Sequence, residues 1–164
     1  MKQVELLTNL AIIIAALLLS AVLVRSHFVQ TSTGAPTAAR LTPGSKISLP
    51  NIDWSSSPQT VLMVLQKGCK YCSESASFYQ RLISKVKDDS QTRLIAVLPQ
   101  TPGDARQYLD SLQMPVSEIV QAPLSSLDIQ GTPTVVLVDQ NGIVKETWVG
   151  QLPAEVEQDV LSKL

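Results

Sequence analysis

Histidine and cysteine, which supply most metal and acid–base sites, are scarce in this chain: there is one histidine and there are two cysteines in 164 residues. Two thiols exclude a disulfide scaffold and a four-cysteine zinc site, and leave room for a single dithiol centre. The lone histidine, His27, follows a long apolar run and reads as a solvated interfacial residue rather than a catalytic base or copper ligand. A basic excess is also missing. The formal net charge is −1, so nothing points to nucleic acid, and no acidic run points to a disordered tail. No internal repeat is visible. What remains is about one domain's worth of chain, with 45% apolar and 16% charged residues, able to bury a core.

Charge is absent altogether from Leu6 to Val24. The run is about as long as the ~20 residues that cross a bilayer, and it has no polar face for solvent, which disfavours a buried soluble helix. A cleaved signal peptide is the stronger rival. Against it, Arg25, Ser26 and His27 follow the run where a small-residue cleavage site would stand. The expectation is therefore a retained transmembrane signal anchor over residues 1–25, with the lipid bilayer as its partner. Lys2 and Arg25 make the flanking charges nearly even. A short head before a large C-terminal domain favours the N-terminus inside, which places the cysteines outside the cytoplasm, where disulfide chemistry is at home. Residues 26–42, rich in Ser, Thr, Gly, Pro and Ala, read as a flexible linker.

Residues 43–164 alternate strand and helix signals. Lys46 to Leu49 is a short strand candidate. Val61–Leu65 and Leu94–Leu98 are continuous apolar runs, as in strands buried on both faces. Between them, Phe78, Leu82 and Val86 recur at helical spacing from Ser73 to Val86. Thr101-Pro-Gly-Asp104 opens a second helix, ending near Leu112, with proline at the first helical position and an acid in the first turn. Ser117 to Val120 is a further short strand candidate. Val135–Val138 and Val144–Val149 flank Asp139-Gln-Asn-Gly142, a hairpin signal. A last helix from Pro153 buries Val156, Val160, Leu161 and Leu164. The order predicts an α/β fold, a central mixed sheet flanked by helices on both faces. Trp54 and Trp148 read as packing residues.

Cys69-Lys-Tyr-Cys72 stands between a buried strand and a helix start. Amides at a helix N-terminus stabilise negative charge, and the thiolate is the attacking form of cysteine. Cys69, at the exposed edge, is the expected nucleophile. Cys72, one turn in, is the expected resolving thiol. Lys70 adds a positive charge that favours the thiolate. Half of an intermolecular zinc site and a static structural disulfide are the alternatives; the β-α-β context favours redox activity over both.

With Gly131-Thr-Pro-Thr134, an apolar strand, the Asn-Gly turn and the closing Val149-Gly150, the sequence resembles the thioredoxin superfamily. Within it, the chain is most similar to the membrane-anchored TlpA/ResA-like redoxins, with an insert from about Gln100 to Gln130. The resemblance spans roughly Leu41 to Leu164. It implies a thioredoxin-like fold and a thiol–disulfide oxidoreductase that needs no cofactor beyond the Cys69–Cys72 disulfide and no metal. Its partners would be protein thiol or disulfide substrates and an electron donor. It implies that the Thr132–Pro133 bond is cis and faces the disulfide, with the Thr132 backbone pairing with substrate. Gly68, Lys70 and Tyr71 complete the expected substrate-binding edge.

Three departures bear on mechanism. Gly68 stands where many relatives carry Trp, which suggests a more open groove. Met63 stands near where thioredoxin proper has a buried Asp. Ser75 replaces the acid of ResA-like proteins, while Glu74 is expected to be solvated, about 200° around the helix from Cys72. Gln66, where peroxiredoxins need Thr or Ser, disfavours a peroxidase. Most of the resembled relatives are reductants, which favours that direction. A non-catalytic thioredoxin-fold module docking a membrane partner is the rival reading.

Overall fold

The computed structural model describes residues 41–164. The anchor expected over 1–25 and the linker expected over 26–42 lie outside these residues, apart from the linker's last two. Among the described residues no helix is long and apolar enough to cross a membrane.

Five strands form one mixed sheet in the order β3-β2-β1-β4-β5: β1 Gln59–Val64, β2 Thr92–Leu98, β3 Glu118–Gln121, β4 Thr134–Asp139 and β5 Val144–Val149. The apolar runs explain the centre. β1 lies parallel to β2 and antiparallel to β4, with Val61 opposite both Leu94 and Leu137. Side chains alternate across the pleat. Val61, Met63, Val135 and Leu137 therefore feed one core, while Leu62, Val64, Val136 and Val138 feed the other.

The first core takes side chains from every α-helix longer than a turn or two: α2 Ala76–Asp88, α3 Pro102–Ser111 and α4 Ala154–Ser162. The short α1, Lys70–Glu74, adds Cys72 to it. The β1-α-β2 and β2-α3-β3 crossovers run the same way along the sheet, so the usual right-handed connection sets their helices on one face. The other core is closed by extended chain, Ile47 and Leu49, by Trp54 of a 3-10 turn, and by Leu124 and Leu127 of another. The expected helices on both faces are thus α-helices on one side and only 3-10 turns on the other.

Two local expectations are corrected. The helix expected from Ser73 begins at Lys70 and is interrupted at Ser75, whose side chain turns inward. The strand expected over Lys46–Leu49 is a single bridge, Lys46 opposite Ile143, with the Ile47 N–H donating to the Gly142 carbonyl at 2.9 Å. The α3 start is as read: Thr101 caps it, its hydroxyl oxygen accepting from the Asp104 N–H, with Pro102 at the first position. The hairpin turn is held by the Asp139 carboxylate, which accepts from the N–H groups of Asn141 at 2.8 Å and Ile143 at 2.9 Å.

Candidate active site

The carboxyl ends of β1 and β2 and the amino end of β4 meet at one edge of the sheet. Leaving β1, the chain turns at Gly68, whose φ of +86° lies in the left-handed region that favours glycine. The turn aims Cys69 at the start of α1. There the Cys69 sulfur acts as the helix cap, accepting from the Cys72 N–H at 3.1 Å. A free amide thus points at the sulfur that the sequence nominates as nucleophile.

Cys69 and Cys72 form a disulfide, with Cα atoms 5.3 Å apart. Their surroundings differ. Cys69 is half-buried at the rim, whereas Cys72 is fully buried in the first core. Attack from outside therefore reaches Cys69 first.

The Thr132–Pro133 bond is cis. The Thr132 carbonyl oxygen lies 3.3 Å from the Cys69 sulfur. The Thr134 hydroxyl donates to the Gly131 carbonyl at 2.8 Å, and the Gly150 N–H donates to the Pro133 carbonyl at 2.7 Å. This loop is thereby fixed to the open end of the β4–β5 hairpin, where Thr134 lies opposite Val149. Cys69, Cys72, Thr132 and Pro133, far apart in sequence, are brought together.

The flanking residues are more exposed. The Lys70 ammonium pairs with Glu74 at 3.7 Å and lies 5.9 Å from the Tyr71 ring centre, so its charge is shared rather than left bare beside Cys69. Glu74 is exposed, as expected. Tyr71 is 53% exposed. A Cβ built on Gly68 would meet no atom within 4 Å, in keeping with an open groove.

Two tethers of the site were not read from the sequence. The Lys67 N–H donates to the Gln100 side-chain oxygen at 3.3 Å, and the Lys67 ammonium pairs with Asp104 at 3.5 Å. The Asp104 carboxyl is held below the usual range by the Thr101 hydroxyl and then by Lys67. The Thr-Pro-Gly-Asp cap signal marked this helix start, but only the parallel β1–β2 pairing sets it beside the cysteine loop. Among the described residues, no group of three or more His, Cys, Asp or Glu is placed to hold a metal ion.

No family model and no curated protein sequence matches the chain. Solved structures do. A Chlorobium tepidum protein described as the thiol:disulfide interchange protein DsbE superposes with a TM-score of 0.56 at 26% identity, covering 74% of this chain and 97% of that one. Bacillus subtilis StoA gives 0.51 at 18%, covering 71% and 93%. The exposed lipoprotein thioredoxin Etrx1 of Streptococcus pneumoniae gives 0.52 at 17%, covering 68% and 88%. The last two likenesses speak for the fold; the first joins it to a pair of cysteines already shaped as an interchange centre. With this sheet order, disulfide and proline loop, the chain has a thioredoxin-like fold, and its likeness is to the thiol–disulfide oxidoreductases of that superfamily.

Proposed function

We propose that the protein is a membrane-tethered reductant of protein disulfides outside the cytoplasm. The observation that carries the chemistry is the unequal burial of the two sulfurs, with a helix N-terminal amide directed at the outer one. An electron donor first reduces the Cys69–Cys72 bond. The Cys69 thiolate then attacks a client disulfide, forming a Cys69–client bond and releasing one client sulfur. Cys72 attacks the Cys69 sulfur, the mixed disulfide breaks, and the second client sulfur leaves reduced. The two electrons given to the client reappear as the restored Cys69–Cys72 bond. The Thr132 backbone lies where an extended client segment could pair beside Cys69.

The uncharged run Leu6–Val24 supports the tether. The pneumococcal neighbour, named as an exposed lipoprotein, supports a place outside the cytoplasm.

Trapping tests the reading. In cells expressing full-length Cys72→Ser, client proteins should stay disulfide-linked to Cys69, and the conjugates should remain with membranes after alkaline carbonate washing. Cys69→Ser should trap nothing. Equal trapping by both variants would defeat the assigned order of attack, and recovery of a soluble form starting after Val24 would defeat the tether.

A further inference from the structure

Three buried hydroxyls in the core that holds Cys72, those of Ser75, Tyr79 and Tyr108, are left unused by the exchange steps above. Cys72, Ser75 and Tyr79 stand at i, i+3 and i+7, one face of the α1–α2 stretch. All three are buried: Cys72 is 0% exposed, Ser75 4% and Tyr79 1%. Tyr108 of α3 enters the same core as Cys72 and Tyr79. Ser75 and Tyr108 both lie close enough to bear on the ionisation of Tyr79, although the Ser75 oxygen makes no hydrogen bond of ordinary geometry. The Ser75 and Tyr108 hydroxyls are both buried without a hydrogen-bond partner. Such groups are destabilising where they stand, and alanine and phenylalanine would have removed them at almost no change of shape.

The demand for them arises when the disulfide opens. Cys72 is then a thiol buried in the apolar first core. Apolar burial opposes its ionisation, yet the thiolate is the form that resolves the mixed disulfide. Glu157 of α4 is close enough to bear on Tyr79, and its charge is paired with Arg81 of α2 at 2.5 Å. The Lys70–Glu74 pair lies on the solvent side of α1. Hydroxyl groups are thus the polar atoms left on the buried side.

We propose that Ser75 is a positioning residue for the exchange reaction, its hydroxyl donating to the released Cys72 sulfur, with Tyr79 and Tyr108 polarising that hydroxyl from behind; this rests on Cys72 being the resolving thiol. The Cys72 proton passes to solvent base at the opened site. The thiolate, held by the Ser75 O–H, attacks the Cys69 sulfur, and the client sulfur departs with the bonding pair.

The test uses the reduced protein and substoichiometric dithiobis(nitrobenzoate), which separates the two thiols in time. Attack by Cys69 releases one thionitrobenzoate, and closure by Cys72 releases the second. Ser75→Ala should slow the second release by about tenfold or more, the worth of a hydrogen bond to a charged group, and move its pH midpoint upward. The first release should be unchanged. Tyr108→Phe should slow the same phase by less, and Ser75→Thr, which keeps the hydroxyl, should restore most of the rate. Unchanged second-phase rates and pH profiles in folded Ser75→Ala and Tyr108→Phe would overturn the proposal and leave the hydroxyls as packing. A wild-type protein whose Cys72 reacts first would instead overturn the underlying assignment of the two thiols.

Discussion

At Gly142 two requirements coincide. Its φ is +77°, and a Cβ there would sit 3.0 Å from the Trp54 ring. Gly103, inside α3, carries neither restriction: a Cβ would meet nothing within 4 Å. The same substitution should therefore act in opposite directions. Gly142→Ala should cost about 1–2 kcal/mol from the left-handed backbone alone, with the Trp54 clash in addition. Gly103→Ala should stabilise by about 0.5–1 kcal/mol, because alanine loses less freedom in a helix. Urea denaturation of the two variants checks both signs, and a destabilising Gly103→Ala would show that α3 needs its glycine for something the packing does not reveal. The contrast also explains why Asn141-Gly142 was readable as a turn, whereas Gly68 was not: its left-handed φ has no Asn-Gly partner or flanking apolar symmetry to announce it.

The β4–β5 hairpin depends on one carboxylate. The Ile143 and then the Asn141 N–H groups hold the Asp139 carboxyl below its ordinary range. A carboxyl with a depressed folded-state pKa contributes stability that is present above its unfolded value of about 3.9 and is lost as pH falls through the folded value. Asp139→Asn should therefore lower stability at neutral pH and flatten its dependence on pH below about 4. Denaturation midpoints of the wild type and variant across that interval would converge at the acid end; parallel curves would refute the linkage. Elements of this kind were legible because their causes are local: continuous apolar runs for β1, β2 and β4, Pro102 for α3, Asn-Gly for the hairpin. The cysteine pair was legible from its spacing, and the proline loop through resemblance. What was not legible depends on the tertiary fold. Nothing around Ser75 marks a helix break; it follows from burying Ser75 beside Tyr79. Lys46–Leu49 has strand composition, but finds only Ile143, just ahead of β5, to bridge with. Tyr108 looks like any core aromatic until α3 is set against α2.

At the scale of the whole fold, the described residues build two cores of unequal construction. One is roofed by helices and contains Cys72; the other is closed by residues 47–54, with Ile47 2% and Leu49 6% exposed. A chain beginning at Leu41 should fold and keep its exchange activity. One beginning at Ser57 should not, because Leu62, Val64, Val136 and Val138 would face water. Circular dichroism and insulin reduction by the two truncated chains would decide this, and a folded, active Ser57 form would show that the second core is self-sufficient. The same segment has a mechanical consequence. Tension applied to the chain ahead of Leu41 enters through the pairing of Ser45 and Ile47 with the hairpin, then reaches Trp54 against Gly142. The Arg93 guanidinium brackets that residue, donating to the Asp53 carbonyl at 3.0 Å and the Ser56 hydroxyl at 2.8 Å while gripping Glu118. The hairpin pairing thus comes first along the line of pull and the Trp54 and Arg93 contacts follow as one catch, while the cysteine loop hangs off the opposite end of β1. Force would peel the two catches one after the other as a fuse, and the exchange centre would keep its geometry until the second had let go.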